Sequence, residues 1–116
     1  VQPWEKAMLQ EIERSIMIAN LGFNPMNNGE TIIINVPPLT EERRRELAKQ
    51  AKSEVEEAKI SIRAARKDAN SEIKNTEDAS EDIQKNAEVD VQQLTDAHVK
   101  KAEELYAAKE IEILKI

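Results

Sequence analysis

Apolar residues in the middle of the chain recur at steps of three and four between positions 40 and 75. This spacing places them on one face of an α-helix. The stripe consists of Leu47, Ala51, Val55, Ala58, Ile62, Ala65, Ala69 and Ile73. Thr40 is a favoured N-cap, and Glu41 and Glu42 lie in the first turn, where the helix dipole stabilises acids. The pattern therefore predicts a long helix that begins after Thr40 and ends near Asn75.

A second long helix is predicted after residues 75–79, which form a short polar connection. Ser80 is again a favoured N-cap, and we expect the helix to extend to about Leu114. Its expected buried residues are Ile83, Ala87, Val91, Leu94, Ala102, Leu105 and Ile113. The short connection makes the two helices antiparallel. Because such a hairpin leaves half of each stripe uncovered, we expect a third helix, from sequence preceding Val1 or from another copy of the chain.

The N-terminal segment predicts one more helix. Pro3 suits a first helical turn, and the helix is expected to end near Asn20, with Gly22 as its left-handed cap. One face of this helix carries Leu9, Ile12, Ile16 and Ala19. We expect Trp4, the only tryptophan, to pack within this small domain.

A strand is predicted after this helix. Residues 27–29 have the composition of a turn, and residues 31–36 are rich in β-branched side chains. One helix and one strand cannot bury a sheet, so we expect the segment to require strands that precede Val1.

The composition changes at Pro37 and Pro38, because every proline and both glycines lie before residue 39. We therefore predict two domains, residues 1–37 and residues 38–116. Proline fixes its own φ and restricts the residue before it. Val36, Pro37 and Pro38 are predicted to form a hinge, the alternative being an ordinary stop between a strand and a helix.

Composition and motifs argue against an enzyme. The chain is 34% charged and only 3% aromatic, which favours a helical, soluble protein over an aromatic-rich β-sandwich. Without cysteine there is neither a disulfide nor a thiolate metal site, and the longest apolar run, residues 16–19, is far too short to span a membrane. The only histidine, His98, lies beside the second stripe, where a structural or surface role is expected. We predict no catalytic residues, metal, cofactor or small-molecule substrate.

The strongest functional indication is a cationic row along the first long helix. It consists of Arg45, Lys49, Lys52, Lys59, Arg63 and Arg66. These residues follow the helical spacing, away from the apolar stripe, over about 30 Å at 1.5 Å per residue. Although the net charge is −6, a local row of cations can bind a polyanion. Alternatively, the cations pair with acids on the same helix, where Glu56 interrupts the row.

Several strings in this chain resemble the signature of the ribosome recycling factor family. The most specific are VPPLTEERR at residues 36–44 and IRAARKDAN at residues 62–70. Further matches, in order along essentially the whole chain, are NLGFNP at 20–25, SED at 80–82, QQLTD at 92–96 and AKE at 108–110. Family members begin with a long helix and much of a small β/α/β domain. We therefore expect this chain to lack that N-terminal part.

The resemblance implies a fold and a function. The fold would be mainly α, a long antiparallel helical hairpin from a three-helix bundle, plus part of a small β/α/β domain. The function would be to bind the ribosome after termination through large-subunit ribosomal RNA and, with elongation factor G, to separate the subunits. Arg63 and Arg66 match the RNA-binding string of the family, and Lys67 stands where many members have a second arginine. The implied location is the bacterial cytoplasm, or an organelle.

A non-catalytic coiled-coil scaffold is the alternative. Sustained apolar stripes without catalytic residues are also typical of helices that pair with themselves or with a partner. In that case, the cations would serve solubility and would give little salt-dependent affinity for RNA.

Overall fold

Each long helix begins where a hydroxyl side chain caps its first turn. In the computed structural model, which describes residues 1–116, the elements are α1 (Leu9–Ile18), β1 (Pro25–Asn27), β2 (Ile32–Ile34), α2 (Glu41–Lys74) and α3 (Glu81–Leu114). Thr40 Oγ1 accepts the Arg43 N–H at 3.1 Å, and Ser80 Oγ accepts the Ile83 N–H at 3.3 Å. These bonds satisfy backbone donors that have no partner within the helix. Both predicted helices and both caps are confirmed.

Helices α2 and α3 form an antiparallel hairpin. At its closed end, Gln84 Nε2 donates a 3.0 Å hydrogen bond to the Thr76 carbonyl, which ties α3 to the turn after α2. At its open end, Arg44 Nη1 donates to the carbonyls of Ile113 and Lys115, at 2.9 and 2.8 Å. Arg44 thus satisfies carbonyls that the end of α3 would otherwise leave to water. The fold class, a long helical hairpin with a small α/β part, is confirmed.

The seam between α2 and α3 covers only part of each apolar stripe. The least exposed positions of α2 include Ala48, Ala51, Val55, Lys59, Ile62, Arg66, Ala69 and Ile73, while those of α3 include Ala87, Val91, Thr95, Val99, Ala102, Tyr106 and Ile113. The predicted burial of Ala58 and Ala65 on α2 is wrong, since both are exposed. It is equally wrong for Ile83, Leu94 and Leu105 on α3, which are 60, 61 and 63% exposed. The stripes are wider than the surface that one partner helix can cover.

In the N-terminal unit, the helix is shorter than predicted. A 3₁₀ turn at Lys6–Met8 precedes α1, so Pro3 and Trp4 lie outside the helix. The expected packing of Trp4 is wrong, because its side chain is fully exposed. After the C-cap residue Ala19, Asn20 is left-handed, with φ of 50°; the predicted Gly22 is also left-handed, with φ of 80°, but lies two residues further on. Asparagine tolerates this conformation and often replaces glycine there.

The sheet of this unit is an antiparallel hairpin. Strand β2 is shorter than predicted and pairs with β1, which the sequence did not reveal; Met26 lies opposite Ile33. The predicted turn is confirmed, since Asn28 Oδ1 accepts the N–H groups of Glu30 and Thr31. Val1 exchanges two backbone bonds with Ile32 on the other edge of β2, and Ile32 is 1% exposed.

The chain divides into two compact units, Val1–Leu39 and Thr40–Ile116. Val36, Pro37 and Pro38 lie between the end of β2 and the start of α2, and all three are exposed. The hinge and the division into domains after Pro37 stay predictions.

Candidate nucleic-acid interface

The cationic row borders the seam between α2 and α3. Arg45, Lys52 and Arg63 are exposed, whereas Lys59 and Arg66 are half-buried and bond to side chains of α3. The expectation that the whole row faces away from the core is therefore wrong for Lys59 and Arg66. Their long alkyl stems allow them to cover apolar surface while their charged ends reach polar partners.

Lys59 is held by two carboxylates. Its Nζ lies 3.0 Å from Glu103 Oε1 on α3 and 3.3 Å from Glu56 Oε1 one turn earlier on α2, and its side chain is only 14% exposed. The hydrogen bonds to Glu103 and Glu56 raise the pKa of Lys59 above its usual value. The charge of this cation is thus neutralised inside the protein.

Arg66 meets α3 through a neutral partner. Its Nη1 donates a 3.2 Å hydrogen bond to Gln92 Oε1, and Gln92 Nε2 donates at 2.9 Å to Asp96 Oδ1. An arginine has five N–H donors, so four remain for a ligand. The amide carries no charge, and the positive charge of Arg66 therefore stays uncompensated by its direct partner.

The remaining predicted cations differ in their partners. Arg45 forms an ion pair with Glu41. Lys49, Lys52, Arg63 and Lys67 are exposed and form no ion pair within the chain. These four, together with Arg66, are the residues of the predicted set that can present an uncancelled positive charge to a ligand.

The two long helices also differ in overall charge. Helix α2 carries more lysine and arginine than carboxylates, whereas α3 carries about twice as many carboxylates as cations. In a chain with a net charge of −6, the basic residues are thus concentrated on one element. A polyanion would be attracted to α2 and repelled by much of α3.

On the other side of the seam, the hairpin carries an apolar groove of about 300 Å³. It is lined by Ile62, Ala65, Ala69, Val91, Leu94, Thr95 and His98, and also by Arg66 of the cationic row. His98 Nδ1 donates to the Leu94 carbonyl at 2.8 Å, so the ring is oriented by its own helix. The groove leaves apolar surface of both helices uncovered, and a third helix packed against the hairpin stays a prediction.

No group of acidic or histidine side chains is arranged to hold a metal ion, and no helix has the length and apolar character needed to cross a membrane. The half-buried Tyr106 has its pKa raised, first by burial and then by the charge of Glu110.

Sequence reasoning missed the α3 side of the interface. Gln92, Asp96 and Glu103 decide how Arg66 and Lys59 are held, yet none was proposed as a site residue. The spacing of Gln92 and Asp96 by four positions is a recognisable helical pair. Their approach to α2 depends on the register of the hairpin, which no local pattern specifies.

Comparisons with a family model and with individual known proteins identify the same family. The family model described as "Ribosome recycling factor" matches residues 1–114. The chain is 66% identical to a ribosome-recycling factor from Flavobacterium johnsoniae and 64% identical to one from Flavobacterium psychrophilum. A ribosome-recycling factor from Christiangramia forsetii is 54% identical. Each match includes the whole of this chain but only 63% of the length of the relative.

Proposed function

The chain belongs to the ribosome recycling factor family, and we propose that it acts in ribosome recycling by binding ribosomal RNA of the large subunit through α2. Working with elongation factor G, the protein would separate the subunits after termination. Its own contribution is binding, positioning and steric competition; it would break no bond. We assign it to the compartment in which its ribosomes work, which for a bacterial factor is the cytoplasm.

The observation that supports this proposal is the set of uncompensated cations along one side of α2. Lys49, Lys52, Arg63 and Lys67 form no ion pair, and Arg66 has a neutral partner. Cations that are not neutralised within the protein can replace the counterions of RNA phosphates, which favours association. Arg45 and Lys59, which pair with carboxylates in the free protein, are secondary members of the interface.

A long helix suits this role for mechanical reasons. Helix α2 has 34 residues and is therefore about 50 Å long, so its cations can meet several phosphates along one groove. Packing against α3 supports α2 along the row. A partner that moves one end of the hairpin would then move the RNA contacts as one body.

The hinge is part of the same proposal. Val36, Pro37 and Pro38 lie at the end of the small unit, just before the hairpin begins at Thr40, and the two prolines restrict the directions available to the chain. We propose that they limit how far the small unit can swing while elongation factor G acts.

The proposal is tested by replacing Arg63 and Lys67 with alanine in the intact protein. Both side chains are exposed, so folding should be unaffected, while affinity for isolated large subunits should fall. Each lost phosphate contact should reduce the magnitude of the slope of log K against log salt by roughly 0.7–0.9. Binding is measured at several salt concentrations, and subunit separation is measured with elongation factor G and GTP.

The matched control removes two cations from α3. Lys100→Ala with Lys101→Ala changes the net charge equally but alters no residue of the proposed interface, so affinity should change little. If the control and the α2 variant have equal effects, or if neither changes affinity or its salt dependence, the RNA-binding proposal is wrong. The coiled-coil scaffold predicts the second of these outcomes.

A further inference from the structure

Arg66, Gln92 and Asp96 form a hydrogen-bonded chain across the seam. The chain runs from the Arg66 guanidinium through the Gln92 amide to the Asp96 carboxylate, with heavy-atom distances of 3.2 and 2.9 Å. Gln92 and Asp96 are four residues apart on α3, so both side chains lie on the same side of that helix. The guanidinium on α2 is therefore connected to two consecutive turns of α3.

The chemistry of these groups fixes the direction of each bond. An ionised carboxylate only accepts hydrogen bonds, so Asp96 selects the NH₂ end of the Gln92 amide. The amide oxygen must then face away from Asp96, towards Arg66, which only donates. The orientation of Gln92 is thus determined by Asp96, and the orientation of one guanidinium N–H is determined by Gln92.

We infer that Gln92, oriented by Asp96, is a positioning residue that holds the Arg66 guanidinium ready to bind an RNA phosphate. This inference rests on the proposed function. A free arginine side chain occupies many rotamers, and each must be given up when the planar fork engages a phosphate. A partner that restricts Arg66 beforehand reduces that loss and so increases affinity.

The neutrality of Gln92 is essential to this role. A carboxylate at the same place would position Arg66 equally well but would cancel its charge, as Glu103 and Glu56 do for Lys59. The Asp96 charge is kept one side chain away from the guanidinium by the intervening amide. Arg66 is therefore held in place while its charge remains available.

The test compares two adjacent glutamines in the intact protein. Gln92→Ala should weaken binding to the large subunit by about three- to tenfold, the usual effect of freeing one flexible side chain. The slope of log K against log salt should not change, because no cation is removed. Gln93 is exposed and makes no side-chain hydrogen bond within the chain, so Gln93→Ala should bind like the unchanged protein.

Two further variants separate positioning from a general effect on folding. In an Arg66→Ala background, Gln92→Ala should have no additional effect. Gln92→Glu should lower both the affinity and the magnitude of the salt slope, because the new carboxylate pairs with Arg66. In the free protein, nitrogen-15 relaxation of Arg66 Nε should report greater mobility in Gln92→Ala than in Gln93→Ala.

The results distinguish this inference from the proposed function. If Arg66→Ala weakens binding but Gln92→Ala does not, or if Gln92→Ala is equally harmful without Arg66, the positioning role is wrong and RNA binding by α2 stands. If Arg66→Ala, Arg63→Ala and Lys67→Ala all leave affinity and salt slope unchanged, the proposed function itself is wrong and the inference falls with it.

Discussion

On one side of the seam between α2 and α3, the contacts between the helices are polar: Lys59 bonds to Glu103, and Arg66 bonds to Gln92. On the other side, Ile62, Val91 and neighbouring residues line an apolar groove, which Arg66 also borders. The same two helices therefore present one surface suited to an anionic ligand and one suited to burial against another apolar element. The apolar stripe of α2 therefore has two roles. Part of it packs against α3, and part of it lines the groove and is available to another apolar element.

A second contrast lies within the polar side itself. Lys59 has two carboxylate partners, whereas Arg66 has an amide. Of these two cations on the same side of α2, Arg66 can therefore offer its charge to a ligand, whereas the charge of Lys59 is neutralised by its partners. Counting lysines and arginines along α2 would overstate the charge that this surface offers.

The largest effect on stability is expected on the apolar side. Ile62 is half-buried in the seam, whereas Ile60 on the same helix is 63% exposed. We expect Ile62→Ala to lower the free energy of unfolding by about 1–3 kcal/mol, less than for a fully buried isoleucine because Ile62 is only half-buried. Ile60→Ala, the matched control, should change it by less than about 0.5 kcal/mol. Denaturant titration measures both, and equal losses would show that the seam does not discriminate between the two positions.

A smaller effect is expected when Lys59 is released. Glu56→Gln with Glu103→Gln removes both carboxylates and leaves Lys59 free to meet a phosphate. Affinity for the large subunit should rise by about two- to fivefold, with a steeper salt dependence. Glu104→Gln with Glu112→Gln removes the same charge from pairs with Lys100 and Lys109 elsewhere on α3. A comparable rise in that control would attribute the effect to net charge alone.

The smallest effect is a loss of stability at alkaline pH. The pKa of Lys59 in the folded protein is raised above its usual 10.5. The protonated Lys59 therefore contributes fully to the free energy of unfolding below about pH 10.5, and this contribution is lost as the pH rises through the raised pKa. The pKa of Tyr106 is also raised, so ionisation of Tyr106 would likewise lower stability at alkaline pH. A Tyr106→Phe background eliminates this second effect. Thermal melts between pH 9 and 12 should then show a steeper decline with Glu56 and Glu103 present than with both replaced by glutamine. Parallel curves would mean that the ion pairs do not stabilise the fold.

The helices could be predicted closely because their signals are local. Thr40 and Ser80 specify N-caps through atoms within three residues, and the bonds to Arg43 and Ile83 are formed as expected. By contrast, β1 was missed because it has three residues and begins with Pro25. A short strand exists only through its partner, and no run of β-branched residues marks it.

The seam could not be predicted from periodicity alone. Leu94 and Leu105 belong to the apolar stripe of α3, yet Thr95 is the buried residue, at 8% exposed. Thr95 is tolerated because its Oγ1 donates to the Val91 carbonyl at 2.7 Å. A stripe identifies the apolar face of a helix, but its centre gives the position of the partner only when there is one partner.

The bonds from Arg44 to the end of α3 have a consequence for how the hairpin assembles. They join positions 69 and 71 residues apart along the chain, whereas the bond from Gln84 to Thr76 spans only eight. Because closing a longer loop carries a larger entropic penalty, contacts between the two helices should form first near the turn and last at Arg44. The open end is then the first to fray, and amide hydrogen exchange should quicken steadily from the turn towards Arg44. A ligand that grips the hairpin near Arg66 would be holding the half that forms early and opens late.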